Sequence, residues 1–310
     1  MSKESNSKIR STRSDLAEIQ LASAVKEKKL AKAAEYLFFL SAFIAVLSIA
    51  VISFYIFQQG LPAFRQIGLK NFLLGLEWRP TVKELYGILP MILGSVYSTI
   101  GAIIIGVPIG LLTAVFLSEI APKKLRQVVR PAVELLAGIP SVVYGFFGLM
   151  VFVPLIREHI AQPGNSLLAV SLVLGIMILP TIVSISESSI NAVPESYKEG
   201  SLAMGATEIQ TIFKVTLPAA KSGIITAIIL GIGRAVGETM AVILVAGNAP
   251  MIPTSLVQPI RTLTGNIAIE MGYAFGLHRE ALFATGVILF IFIMILNLFV
   301  NYFANKAGES

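Results

Sequence analysis

Residues 194–221 read PESYKEGSLAMGATEIQTIFKVTLPAAK, a moderately polar island between long apolar runs, and its spacing organises the reading of the whole chain. Pro194 sits where a first helical turn tolerates a missing donor, and Gly205 sits where a helix would end in a left-handed cap. Thr207 and Gln210 form a T-x-x-Q capping box. That box predicts a second helix through Ile209, Ile212 and Phe213, which Pro218 stops because a proline has no N–H to continue the ladder. Two short helices meeting at a bend on Gly205 make a docking loop.

The flanking sequence sets the environment of that loop. The 310 residues are 55% hydrophobic and only 14% charged, with a mean hydropathy of +0.80, which is too apolar for a soluble domain and fits an all-α integral membrane protein. There is no cysteine, so disulfides and thiolate metal sites are excluded. The two histidines, His159 and His278, are too few for a histidine metal centre, and both are predicted in solvated external loops. No metal is expected.

Apolar runs long enough to cross roughly 30 Å of hydrocarbon are predicted at 35–57, 91–118, 131–156, 167–190, 222–247 and 281–303, six spans in all. Pro108, Pro140 and Pro180 fall inside them, and such breaks survive where neighbouring helices satisfy the freed carbonyls. The preceding tail, residues 1–33, carries Leu16, Ile19 and Leu30 among lysines, glutamates and alanines. It reads as a cytoplasmic segment, an interfacial helix or a disordered tail, and begins too far from the first span for a cleavable signal peptide. Residues 34–310 read as one transmembrane domain, with 194–221 as its loop.

Of the 24 basic residues, sixteen lie in the tail, in the loops after spans 2 and 4, and at the C-terminus; seven lie in the opposite loops. The positive-inside rule therefore predicts both termini, and the 194–221 loop, in the cytoplasm. The net charge of +6 follows from this topology and gives no sign of nucleic-acid binding.

The last basic residue, Arg234, lies inside span 5 in the run Gly-Ile-Gly-Arg-Ala-Val-Gly-Glu-Thr from Gly231 to Thr239. Arg234 and Glu238, four residues apart on a continuous helix, are predicted to share a face and offset each other's desolvation. That face would also hold Ala227, Gly231 and Ala241, with Ile225, Ile229, Ile232, Val236 and Ile243 on the other side. Small residues allow close approach of a second helix, so the charged stripe is predicted to face the bundle interior or a polar pathway. A guanidinium fork suits a tetrahedral oxyanion, which makes Arg234 a candidate guide for an anion and Glu238 its competitor when the pathway is empty. The alternative is a fixed ion pair that only locks helix packing.

The loop resembles the EAA loop of ABC importer permeases, with Glu199-Gly200-Ser201, then Gly205, then Leu217-Pro218 at the family spacing; Gly200-Ser201 replace the two alanines. The run from Gly233 to Val242, the stretch Glu134 to Gly145, Phe116 to Glu119 and Gly276 to His278 narrow the resemblance to the PstC permeases of phosphate ABC importers. The resemblance implies a MetI-like bundle of six transmembrane helices in a prokaryotic plasma membrane, the inner membrane in a Gram-negative cell. It implies a heterodimer with a PstA-like sister permease, two PstB-like ATPases and an external phosphate-binding protein. It gives Glu199, Gly200, Ser201, Gly205, Leu217 and Pro218 to ATPase coupling, and Arg234 and Glu238 to the pathway. No Gly-x-x-x-x-Gly-Lys-Ser/Thr phosphate loop occurs, so this chain is no ATPase of that type, and ATP and Mg belong to the partner subunits. A permease for sulfate, molybdate or phosphonate, or an ATP-independent channel or carrier, are the alternatives.

Overall fold

The computed structural model describes residues 2–308, with side chains at 28, 31, 32 and 34–298; Leu16, Ile19, Leu30 and the last residues of predicted span 6 lie outside the described side chains. The chain divides into two units, Met1–Tyr55 and Ile56–Ser310. The first is part of a single helix, α1 (Ser2–Ile67), whose large apolar side chains from Tyr36 to Tyr55 are exposed. Apolar surface of that extent is stable in hydrocarbon rather than in water.

In the second unit α2 (Leu69–Leu74) leads to a short antiparallel hairpin, β1 (Trp78–Arg79) and β2 (Leu85–Tyr86), with Trp78 opposite Tyr86. Helix α3 (Leu89–Val115) runs into a π turn at Phe116–Ile120, followed by α4 (Lys123–Gly138). Next come α5 (Ser141–Phe147), a π turn at Gly148–Phe152, α6 (Val153–His159) and α7 (Leu167–Asn191). The loop segment contains α8 (Glu195–Ala203), α9 (Glu208–Thr211), a π turn at Ile212–Thr216 and α10 (Leu217–Ala219). Last are α11 (Lys221–Gly237), α12 (Met240–Val245), α13 (Leu263–Glu270) and α14 (Gly276–Gly308).

Among the described residues five helices are by themselves long and apolar enough to cross a membrane: Ala34–Ile67, Leu89–Ile120, Ser141–His159, Leu167–Asn191 and Gly276–Leu298. The third is shorter than the predicted 131–156. Pro140 forces Ile139 into an extended conformation, so α4 ends at Gly138 and lies outside the span, with no buried side chain. Predicted span 5, a continuous 222–247, is broken between α11 and α12.

Helix α7 is the centre of the second unit. It runs parallel to α3, where Gly106 meets Gly175 and Ile178 and Gly110 meets Ile182, and antiparallel to α11, where Gly231 meets Ile178 and Ile182. Leu174, Met177, Ile178 and Ile182 are fully buried there. Pro108 and Pro180 both remain inside continuous helices, Pro180 buried among its neighbours and Pro108 exposed on the outer side of α3.

At the end of the bundle away from residues 194–221, a buried polar cluster joins the hairpin to α13 and α14. Glu270 Oε2 accepts from the Trp78 indole at 2.8 Å and meets His278 Nε2 at 2.8 Å, while its other oxygen pairs with Arg261. Arg261 also donates to the Asn248 carbonyl and to Asn266 Oδ1. His278 is therefore in the first turn of α14 and 8% exposed, not in a solvated loop. The carboxylate of Glu270, eight residues upstream, supplies the buried partner that a lone histidine in a sequence does not reveal. His159 is exposed, as expected, although it ends α6 rather than lying in a loop.

Candidate functional site

The predicted loop folds as two short helices around Gly205. Helix α8 closes with the Gly205 amide donating to the Leu202 carbonyl and the Ala206 amide to the Ser201 carbonyl, a Schellman closure with Gly205 at φ +89°. Helix α9 opens on the capping box, the Gln210 amide donating to Thr207 Oγ1 and the Thr207 amide to Gln210 Oε1. Ser201 and Thr211 hydroxyls then meet at 2.9 Å and tie the two helices together. Pro218 does not end the helix where the sequence suggests. The π turn at Ile212–Thr216 widens the ladder just where the proline ring would strike the carbonyl of Lys214, and α10 continues to Ala219. The turn comes at Ala220, where Glu208–Ala219 and Lys221–Gly237 bend by 70°.

This segment rests on the bundle through Leu217 and Ile212, packed on Ala114 and Val115 of α3, Ile190 and Val193 at the end of α7, and Ile224. Its outer surface exposes Tyr197, Leu202, Met204, Ile209 and Phe213, with Met204 at 90%. A hollow of about 520 Å³ lies between Tyr197, Gly200, Ser201, Met204, Gly205 and Gln210. Glu199 is exposed and Gly200 has open space on its outer side. An exposed apolar patch beside a hollow makes this surface a candidate for docking.

The charged span differs from its prediction. Helix α11 ends at Gly237 and Glu238 is extended at φ −71°, ψ 132°. Its carboxylate accepts from the Ala241 amide at 3.1 Å, supplying the restarted helix α12 with one of its missing acceptors, and its carbonyl accepts from Thr264 Oγ1 at 2.9 Å. The i, i+4 pair does not form, because the backbone leaves the helix between its two members. Among the described residues Arg234 makes no ion pair and is partly buried, 13 residues into α11 and so roughly 20 Å along it. Irregular backbone at such depth is tolerated where protein or a water-filled path covers it.

The inward placement of Ala227 and Gly231 holds, since both are buried and Gly231 faces α7. Val236, predicted on the outer face, is buried. Tyr144 was part of a sequence motif but had no assigned role. It lies close enough to Arg234 to feel its charge and donates to the Leu136 carbonyl at 2.6 Å, bridging the break at Pro140. Gly145 beside it brings α5 onto α12, where an added Cβ would lie 2.6 Å from the Ala241 Cα. Thr264 carried no signal at all in the sequence.

Residues 106–308 match the family described as binding-protein-dependent transport system inner membrane component. The chain belongs to that family. It is 41% identical over 271 residues to the probable ABC transporter permease protein YqgH of Bacillus subtilis, covering 86% of this chain and 88% of the relative. It is 39% identical to the phosphate transport system permease protein PstC of Pasteurella multocida, covering 82% and 84%. Its identity to the probable PstC of Methanocaldococcus jannaschii is 31%, covering 85% and 90%. Among solved structures, a bacterial alginate ABC transporter chain matches with a TM-score of 0.62 at 16% identity, covering 89% of this chain and 96% of that one. An inward-facing MetNI methionine transporter chain matches at 0.58 and 22%, covering 71% and 95%. The likeness to these solved structures is one of fold, and the 194–221 segment lies within the residues matched by the family.

Proposed function

We propose that this multi-pass membrane protein is the PstC-like permease subunit of an ATP-driven phosphate importer. The observation that carries the reading is that relatives named PstC align at 31–39% identity over 70–85% of the chain. The chain is a transporter subunit and not an enzyme; hydrolysis belongs to separate ATPases. The family works with an ATPase and a binding protein, and we assign to this chain a PstA-like sister permease, two PstB-like ATPases, which bind ATP and Mg, and an external phosphate-binding protein.

In this reading Glu199, Gly200, Ser201, Gly205, Leu217 and Pro218 belong to the segment that receives the ATPases, on the cytoplasmic side with both termini. Residues 1–33 lie on that side of a prokaryotic plasma membrane. Closure of the ATPases moves the two short helices, and the bundle rocks to expose the pathway alternately to each side. Arg234 offers an oxyanion a charge-assisted fork. Glu238, held on α12, leaves that guanidinium available rather than neutralising it. The test is reconstitution with the three partners and measurement of ATP-dependent uptake of phosphate against sulfate and molybdate. Uptake of sulfate without phosphate would overturn the substrate assignment, and uptake without ATP would favour a channel or carrier.

A further inference from the structure

Helix α8 buries none of its own side chains, so its grip on the bundle rests on particular contacts. The Ser201–Thr211 bond stays within the loop segment. The apolar seat of Leu217 and Ile212 is made by the following π turn and α10 rather than by α8. Lys198 is different: its Nζ donates to Glu119 Oε1 at 2.8 Å, across 79 residues of sequence, with the two side chains only 18% and 9% exposed. Glu119 belongs to the π turn Phe116–Ile120 that ends α3. The residue before it, Ser118, is gripped from another side, its carbonyl accepting from Arg126 of α4 at 2.8 Å. The end of α3 is thus clamped to both α4 and α8.

An apolar seat lets two surfaces slide at little cost. A short, shielded ion pair is costly to separate, so it ties the movement of one member to that of the other. Helix α3 packs closely on α7 from Gly101 to Gly110, against Ser171, Ile178 and Ile182, so a displacement at Glu119 would be carried towards the centre of the bundle. We propose that the Lys198–Glu119 pair is the strut through which the ATPase-facing helix α8 drives α3. Both residues are positioning residues, since neither touches the cargo.

The proposal rests on the ATP-driven importer reading, and the experiment separates the two. Phosphate import and ATP hydrolysis are measured together in vesicles holding the full complex. A wild-type complex without ATP-dependent phosphate uptake refutes the functional reading itself. Given wild-type coupling, Lys198→Met and Glu119→Gln are expected to lower phosphate imported per ATP hydrolysed roughly 2- to 30-fold, with the ATPases still co-purifying. Lys198→Arg, and the exchanged pair Lys198→Glu with Glu119→Lys, are expected to restore the ratio. A wild-type ratio in either single variant, or an exchanged pair that assembles and stays uncoupled, overturns the strut. If Lys198→Met fails to assemble, the Lys198→Arg and exchanged-pair ratios decide the question alone.

Discussion

Removing the Glu270 carboxylate tests the polar cluster at the end of the bundle opposite the loop. Glu270 and Arg261 have side chains 7% and 13% exposed, so little solvent screens them. Glu270→Ala leaves the Arg261 guanidinium with only the Asn248 carbonyl and Asn266 amide oxygen, and no counter-charge. Stranding one member of a buried pair costs about 3–5 kcal/mol. The Trp78 indole also loses its acceptor, which by itself is worth about 1–3 kcal/mol. The terms share neighbours and do not add, so about 3–5 kcal/mol is the expected loss. Adding Arg261→Met removes the stranded charge and leaves the Trp78 indole and the His278 imidazole without the Glu270 oxygen, each at about 1–3 kcal/mol. The double variant should therefore be more stable than Glu270→Ala alone. Equilibrium unfolding in mixed micelles, followed by circular dichroism, measures both. A loss below about 1 kcal/mol for Glu270→Ala, or a double variant less stable than the single, would refute the view that this cluster is held by a compensated buried charge.

Three further outcomes are expected. Arg234→Gln should abolish phosphate uptake while the protein still inserts and assembles, read by transport assay beside co-purification; uptake at the normal rate would remove Arg234 from the pathway. Gly205→Ala should destabilise the loop by about 1–2 kcal/mol, because a Cβ at φ +89° is strained although nothing crowds it, whereas Gly205→Asn should cost less; limited proteolysis between α8 and α9 measures the difference. Gly200→Ala should stabilise α8 by about 0.8–1 kcal/mol, since that glycine is helical and its outer side is open, and hydrogen exchange in α8 should slow accordingly.

Much of the loop was legible because its devices are local. A capping box needs residues three apart, and a left-handed glycine needs only its own backbone, so Thr207, Gln210 and Gly205 announce themselves. The helix stop at Pro218 was misplaced because a π turn is a response to packing and proline together, and only the proline is visible in a string of letters. The same holds for the third span: Pro140 was noted, but whether it kinks a helix or ends one depends on what surrounds it.

The sequence by itself determined that this chain lives in a membrane, where its apolar runs lie, and that a polar two-helix segment interrupts them. Those conclusions follow from composition, length and short-range stereochemistry. Tertiary structure alone decided that span 5 breaks at Glu238, that Arg234 stands apart from it, that His278 is buried against Glu270, and that Lys198 reaches Glu119. Each depends on residues distant in the chain, such as Gly145 pressing on α12 or Thr264 bonding the Glu238 carbonyl, and a helix in a membrane gives up its own hydrogen bonds only where such neighbours replace them.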